Sequence, residues 1–409
     1  GELPILPKHY WQDKKFFRSS LDIPVLSGAY KVASVTPGQQ IIYQRVDDFW
    51  GKDLAVNRGK YNFDRVIVDF YRDQTVAFEA FKANNVDVYM EYTSKNWAVG
   101  YDFPALKSGQ VSKVEIPHQL PSNIQAIFLN TRRPPLDKLP FRKALALLFD
   151  FEWTNKQLFY NAYTRTRSYF PNSPFAAAKA PPQGDELALL EQFSEQLLPA
   201  ILNEPLEHFE TDGTGNIRPQ MRRAFALFKE AGFRLENRQL VDGQSGKPVE
   251  FEILFRQKGI ERVLLPYTKN LEKVGITASL RLVDSAQYKN RLDDFDFDMT
   301  TFVLPQSHAP GHELLEMFHS ESRGIKGQRN YAGIQHPVLD QLVEKAVKAR
   351  DKDELTVTLH ALDRILLWQH YVIPNWHINS FRTAYWRPLV RPDQQPPYIF
   401  GFENWWLRQ

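Results

Sequence analysis

The stretch from Ser122 to Trp153, SNIQAIFLNTRRPPLDKLPFRKALALLFDFEW, constrains the fold of this chain more than any other. Ile124, Ala126 and Phe128 alternate with Gln125 and Ile127, the period-2 pattern of a strand. Pro134-Pro135 cannot continue a hydrogen-bonded ladder, so the strand must stop before them. Phe141, Ala144, Leu145 and Leu148 then recur at i, i+3, i+4 and i+7, which places them on the buried face of a helix and predicts that Arg142 and Lys143 point to solvent. A strand, a tight turn and an amphipathic helix in this order argue for an α/β layer packing.

The chain of 409 residues is long enough for two or three domains. Its 51 basic and 48 acidic side chains nearly cancel, leaving +3, and no run of Lys or Arg gathers on one face. Nucleic acid is therefore not an expected partner, because phosphate binding needs clustered positive charge. There is no cysteine, which excludes disulfides, thiol catalysis and Cys-ligated metals. No apolar run approaches the roughly 18 residues of a membrane span, and the opening GELPILPKHYW has neither the basic start nor the long apolar run of a signal peptide.

Taken in order, AYKVASV and QIIYQRV flank Thr36-Pro37-Gly38-Gln39 and predict a hairpin. Asp73 is placed to cap a helix over 74–82 with Val76, Ala77 and Phe81 inward. That helix lies between the strand-like DRVIVDFY and VDVYM, an order that predicts a crossover in a mixed sheet. Between Pro171 and Gly215 the density of Pro and Gly predicts a surface excursion. A helix from Pro219 with Met221, Ala224, Phe225 and Phe228 inward ends at Gly232. VEFEILF, a helix over 262–273 and TASLRLV make a second β-α-β unit, and FDFDMTTFV from Phe295 reads as a strand. Helices from Pro337 and Asp353 follow, and the Pro-rich tail from Tyr371 alternates strand-like runs.

Three patterns invite a chemical reading. Asp294, Asp296 and Asp298 imitate a calcium loop, but Met299 stands where the sharp turn needs Gly and Pro305 where a bidentate Glu belongs. The ordinary reading is a polar strand face. His308, His312 and His319 form the densest histidine group; HAPGH cannot be helical, so solvated loop histidines are the plain reading and a metal or metallophore carrier is the alternative. No G-x-S-x-G elbow, Walker loop or G-x-G-x-x-G occurs, which leaves a peptide or wall-fragment hydrolase as the weaker alternative. A binding protein instead needs aromatic walls and a few placed polar groups. Asn96-Trp97, Arg165 to Tyr169 with Arg167 between them, and Asn330-Tyr331 all combine the two; core packing and surface ion pairing are their ordinary roles.

The run FLNTRRPPLDKLPFRKALALLFD resembles the hinge-strand, Asn-Thr, Pro-Pro and Arg-x-Ala helix signature of the family 5 extracellular solute-binding proteins that serve ABC importers of peptides. SGAYKV from Ser27, NWAVGYDFPAL from Asn96, TRTRSYF from Thr164, KEAGF from Lys229, FDFDM from Phe295 and NYAGI from Asn330 resemble its YejA-like branch. The resemblance implies the α/β, two-lobed periplasmic binding protein fold of class II, the peptide-binding type, incomplete at its N-terminus. It implies residues 1–118 as the remainder of domain I, 119–375 as domain III and 376–409 as the return to domain I. The hinge crossings then lie near Ile116 to Asn130 and Val372 to Arg382. The implied protein is a periplasmic monomer without enzymatic activity, cofactor or metal, partnered by a peptide and by the membrane permease. Muropeptides and ordinary oligopeptides are both open as cargo. By resemblance, the loop Leu304 to Glu313 occupies the place where oligopeptide-binding relatives carry an Asp for the peptide's α-ammonium. Here Gln306 and Ser307 stand there, with Glu313 the nearest acid, so the ammonium is anchored elsewhere or blocked. Arg165 and Arg167 are the expected partners of a ligand carboxylate.

Overall fold

The computed structural model describes residues 6–14 and 21–408, and the chain divides into two compact units. One comprises the described residues up to His118 and from Ser380 onward; the other is Gln119–Asn379. The first unit opens with an antiparallel sheet of β1 (Tyr30–Thr36), β2 (Gln40–Arg45) and β3 (Arg65–Asp69), in that order. Gly38 adopts φ +70° in the β1–β2 turn, a conformation that favours glycine, and the expected hairpin forms around it. No residue of these three strands is buried.

Helix α1 (Gln74–Lys82) starts where Asp73 accepts from the backbone N–H groups of Thr75 at 2.7 Å and Val76 at 3.3 Å. Its inward residues are Phe78 and Phe81, while Val76 is exposed, so the apolar face is turned from the expected one toward the ring cluster of Tyr101 and Phe103. Strand β4 (Val88–Met90) does not rejoin the sheet of β3. The expected crossover is therefore absent: β4 belongs to a second sheet with β5 (Val111–Pro117) and a strand that arrives from the end of the chain.

The second unit is built on a five-stranded sheet. Its strands are β6 (Ile124–Leu129), β10 (Glu250–Phe255), β11 (Thr277–Leu282), β12 (Met299–Leu304) and β13 (Val372–Pro374), in the order β11-β10-β12-β6-β13. The intervening β7 (Thr164–Arg165) pairs with β14 (Trp376–His377), and β8 (Phe233–Glu236) with β9 (Gln239–Asp242). β10 lies parallel to β11 and β12, joined to β11 by the expected β-α-β crossover, and β6 is antiparallel to both β12 and β13.

Alternation along β6 divides the core in two. Ile124, Ala126 and Phe128 face one hydrophobic cluster, Ile127 and Leu129 the other, so both faces of the sheet are covered. On the second face lie α2 (Leu139–Leu147), α5 (Arg218–Glu230) and α6 (Glu261–Lys273). α3 (Phe151–Leu158) packs Phe151 into the same cluster. The first face is covered by α8 (Glu313–Phe318), α9 (Pro337–Val347) and α10 (Lys352–Gln369), and α7 (Ser285–Asp293) adds Tyr288 and Leu292. α4 (Gly184–Glu191) belongs there too: the segment expected to be a surface excursion contributes Phe175, Leu189, Leu190, Ile201 and Leu206 to this core. β15 (Ser380–Trp386) then enters the first unit between β4 and β5, antiparallel to both.

Two further expectations are corrected. Arg142 is buried, not solvated, because its guanidinium donates to the carbonyls of Leu136, Asp137 and Gln369 at 2.8–2.9 Å. The strand expected from Phe295 starts at Met299, since Phe295 takes φ +52° and Asp296 and Asp298 turn to grip Arg133 at 2.8 and 2.9 Å. That ion-paired role replaces the polar strand face.

Candidate ligand-binding elements of the second unit

The parallel set β10, β11 and β12 ends at Phe255, Leu282 and Leu304, and their register places β6's start and β13's end at the same edge of the sheet. The chain enters the second unit just before β6 and leaves it just after β14, so both crossings lie at that carboxyl edge. In open α/β sheets this is the edge where ligands bind. Loop 305–312 leaves β12 there. Asn123 Oδ1 accepts from the Gln306 N–H at 3.1 Å and Ser307 Oγ from the Ala309 N–H at 3.1 Å, so the loop has internal order. The Gln306 Nε2 and the Asn375 Oδ1 are buried without a hydrogen-bond partner. Unsatisfied buried amides are uncommon and usually signal a role beyond packing. Glu313, half-buried, opens α8 at the far end of the loop. Asn375 was missed in the sequence because it follows a three-residue strand in a Pro-rich tail.

Arg165, Arg167 and Tyr169 come together in one recess beside β13, with Lys143, Leu206, His208, Phe209, Trp368 and His370. Arg165 is buried, 3.5 Å from Glu152, and donates to the Phe209 carbonyl; Arg167 pairs with Glu210. Burial first, then the nearby Arg167 and Lys179, pushes His208 down to about 4. Burial and then Lys143 and Arg142 push His370 down to about 3. Both rings are thus neutral at pH 7, and the recess has its positive charge from Lys143, Arg165 and Arg167.

The remaining expected site residues lie elsewhere. Asn330 and Tyr331 are corrected from ligand-facing positions to the core. The Asn330 amide, fully buried, donates to the carbonyls of His319 and Ile334 and accepts from the Ile334 N–H at 2.7 Å, and Tyr331 packs on Phe302. Asn330→Ala is expected to lower stability by about 1–3 kcal/mol through the backbone groups it strands, as measured by urea unfolding. Asn96 and Trp97 belong to the first unit, where Trp97 Nε1 donates to Glu115 at 2.7 Å and its ring meets Tyr101. His319 is engaged within the fold: its Nδ1 accepts from the Glu321 N–H at 3.2 Å and its Nε2 lies 3.7 Å from Glu344. Among the described residues no three His, Asp or Glu side chains are placed to hold a metal ion.

A model of the bacterial extracellular solute-binding proteins, family 5 Middle, matches residues 2–326. The chain belongs to this family. Within the family it is similar to a probable peptide-binding protein YejA of Agrobacterium fabrum, 39% identical over 416 residues that cover 99% of this chain and 68% of that protein. Two other curated relatives are covered to 63% and 66%, so the chain spans about two thirds of their length. Among solved structures it is similar to the oligopeptide-binding protein AppA from Bacillus subtilis in complex with a nonapeptide, at 19% identity and a TM-score of 0.71, over 99% of this chain and 72% of that one. It is equally similar to NikZ from Campylobacter jejuni in complex with Ni(L-His), at 16% identity and a TM-score of 0.72, over 98% and 72%. The expected fold class, α/β of the two-lobed periplasmic binding type, is the one these family 5 likenesses show. No helix among the described residues is long and apolar enough to cross a membrane.

Proposed function

We propose that this family 5 chain is the peptide-capturing part of an exported, periplasmic component of an ABC importer, acting as a monomer that binds and delivers its cargo without chemistry. The observation that carries the reading is the carboxyl edge of the second unit's sheet, where four strand ends, both chain crossings and the unpartnered Gln306 Nε2 and Asn375 Oδ1 coincide. The peptide as ligand is supported by the relative described as peptide-binding and by the peptide held in a protein of the same fold. In this reading the second unit is the domain III of the family, and loop 305–312 shifts to bring Gln306, Ser307 and the Asn375 amide to the peptide backbone. Capture then favours the conformation that the permease recognises. A neutral amide in place of an acid suits a ligand whose amino end carries no charge.

The test is native mass spectrometry of the full-length protein incubated with a defined pool of synthetic peptides, some with acetylated amino ends. A subset of peptide masses should remain bound, with acetylated members retained. Gln306→Ala should weaken the retained peptides roughly ten-fold, in line with the loss of one buried hydrogen bond, at unchanged melting temperature. Retention of no peptide from the pool would overturn the reading.

A further inference from the structure

The recess beside β13 is walled by Ala146, Leu206, Leu366, Val372 and Pro374, and a strap from Leu206 to Thr211 runs along it. Besides the hydrogen bonds that Leu206 and Thr211 make at its ends, three contacts fasten the strap to the recess. The Phe209 ring stacks on His370 at 5.3 Å and 11°, the Phe209 carbonyl accepts from Arg165, and Glu210 pairs with Arg167. The first two fastenings lie on groups shielded from solvent, Arg165 buried and His370 half-buried. The third does not: the Arg167 and Glu210 side chains are 46% and 49% exposed, and an ion pair so open to water contributes little. Lys143 is the cation left over. Its Nζ stands 5.2 Å from the centre of the Trp368 ring, and it takes part in no ion pair among the described residues. A half-buried ammonium and a loosely held guanidinium therefore share one recess whose two imidazoles are neutral and whose lining carboxylate, Glu207, is paired with Arg223.

We infer that this recess is a binding site for a small organic carboxylate with an apolar body, which takes Arg167 and Lys143 in exchange for Glu210. Glu210 is the stand-in for the ligand: a carboxylate tethered by the strap to the guanidinium that a free carboxylate would use. The planar fork of Arg167 matches a carboxylate in two parallel hydrogen bonds, and Lys143 adds a point charge. The walls select an aliphatic body over a bare anion. The site adjoins the peptide-capture edge, since the Thr166 N–H in its lining donates to the Asn375 carbonyl at 3.1 Å, but it uses no residue of loop 305–312 and goes beyond the peptide-capture reading.

The probe is N-acetyl-L-leucine, titrated into the purified chain by calorimetry and by ligand-observed NMR, with its methyl ester and inorganic phosphate alongside. Saturable binding of the acid is expected, with the ester and phosphate at least roughly ten-fold weaker. Arg167→Gln and Lys143→Met should each weaken the acid by about ten-fold, whereas Glu210→Gln, which removes the competitor, should strengthen it several-fold. Arg167 and Glu210 are exposed enough that their variants fold even if Lys143→Met does not. Absence of saturable binding, equal binding of acid and ester, or a weaker complex in Glu210→Gln would each overturn the inference. Gln306→Ala should leave this binding unchanged, which separates it from the peptide site.

Discussion

Replacing Glu186 by alanine is expected to destabilise the second unit by about 3–5 kcal/mol, among the largest single losses available outside the aliphatic core. Arg364 sits in α10 with a side chain fully removed from solvent, its Nε donating to Glu186 Oε1 at 2.7 Å and its Nη2 to the Ala178 carbonyl at 3.1 Å. Glu186 reaches it from the first turn of α4, where an acidic side chain also suits the helix dipole. Without Glu186 the guanidinium keeps its charge in an apolar surrounding with one carbonyl for a partner. Removing both charges is a different change. Glu186→Ala combined with Arg364→Met should recover more than half of the loss, because a buried pair replaced by apolar groups is often close to neutral. Urea unfolding followed by circular dichroism measures both, and a single-variant loss under about 1 kcal/mol would mean that water reaches the pair.

That ion pair also shows where sequence reading stops. The strand at β6 was legible because its alternation needs only the next residue: Ile124, Ala126 and Phe128 on one face, Ile127 and Leu129 on the other. The crossover from β10 through α6 to β11 was equally legible, since a strand, a helix ended at Gly275 and a strand leave few other arrangements. Charged residues are where the pattern misleads. Arg142 looks solvated on a helix wheel, yet one of its carbonyl partners is Gln369, 227 residues away. Lys143 beside it lines the recess with Trp368 for the same reason.

The misread crossover between β3 and β4 has a similar origin: β4's neighbour is β15, which arrives only after the second unit has been completed. Asn330 and Tyr331 carried the polar-aromatic pairing of a ligand wall, but the amide closes a loop on His319 and Ile334, and that closure is invisible to composition. Of the candidate site, loop 305–312 and the Arg165–Arg167 pair could be singled out from residue chemistry and family resemblance. Asn375 and the strap carboxylate Glu210 could not, because their significance lies in what they face.

A second large effect is expected at Asp363, and here pH supplies the control. This carboxylate is fully buried in α10 and accepts from Ser168 Oγ at 2.7 Å, from the Tyr169 N–H at 2.7 Å and from the Ala177 N–H at 2.9 Å. It thereby fastens the segment 168–177 over the first-face core. Burial nevertheless outweighs these three donors and pushes Asp363 up to about 6. The folded chain therefore holds a proton there more tightly than the unfolded chain, whose aspartate titrates near 3.9. The contribution of protonation is full below about pH 4 and is lost as pH rises through about 6; across that window it amounts to about 3 kcal/mol. Asp363→Asn removes the titration and turns an amide N–H toward groups that need an acceptor. The variant should be less stable than the parent by about 2–3 kcal/mol near pH 4, a gap that closes by about pH 7 as the parent loses its proton. Its unfolding free energy should lack the parent's fall between pH 4 and 6, so the gap between the two is widest at the acid end. Parallel stability profiles for parent and variant over pH 4–8 would show that the Asp363 carboxylate titrates as it does in the unfolded chain, and that its three donors offset its burial.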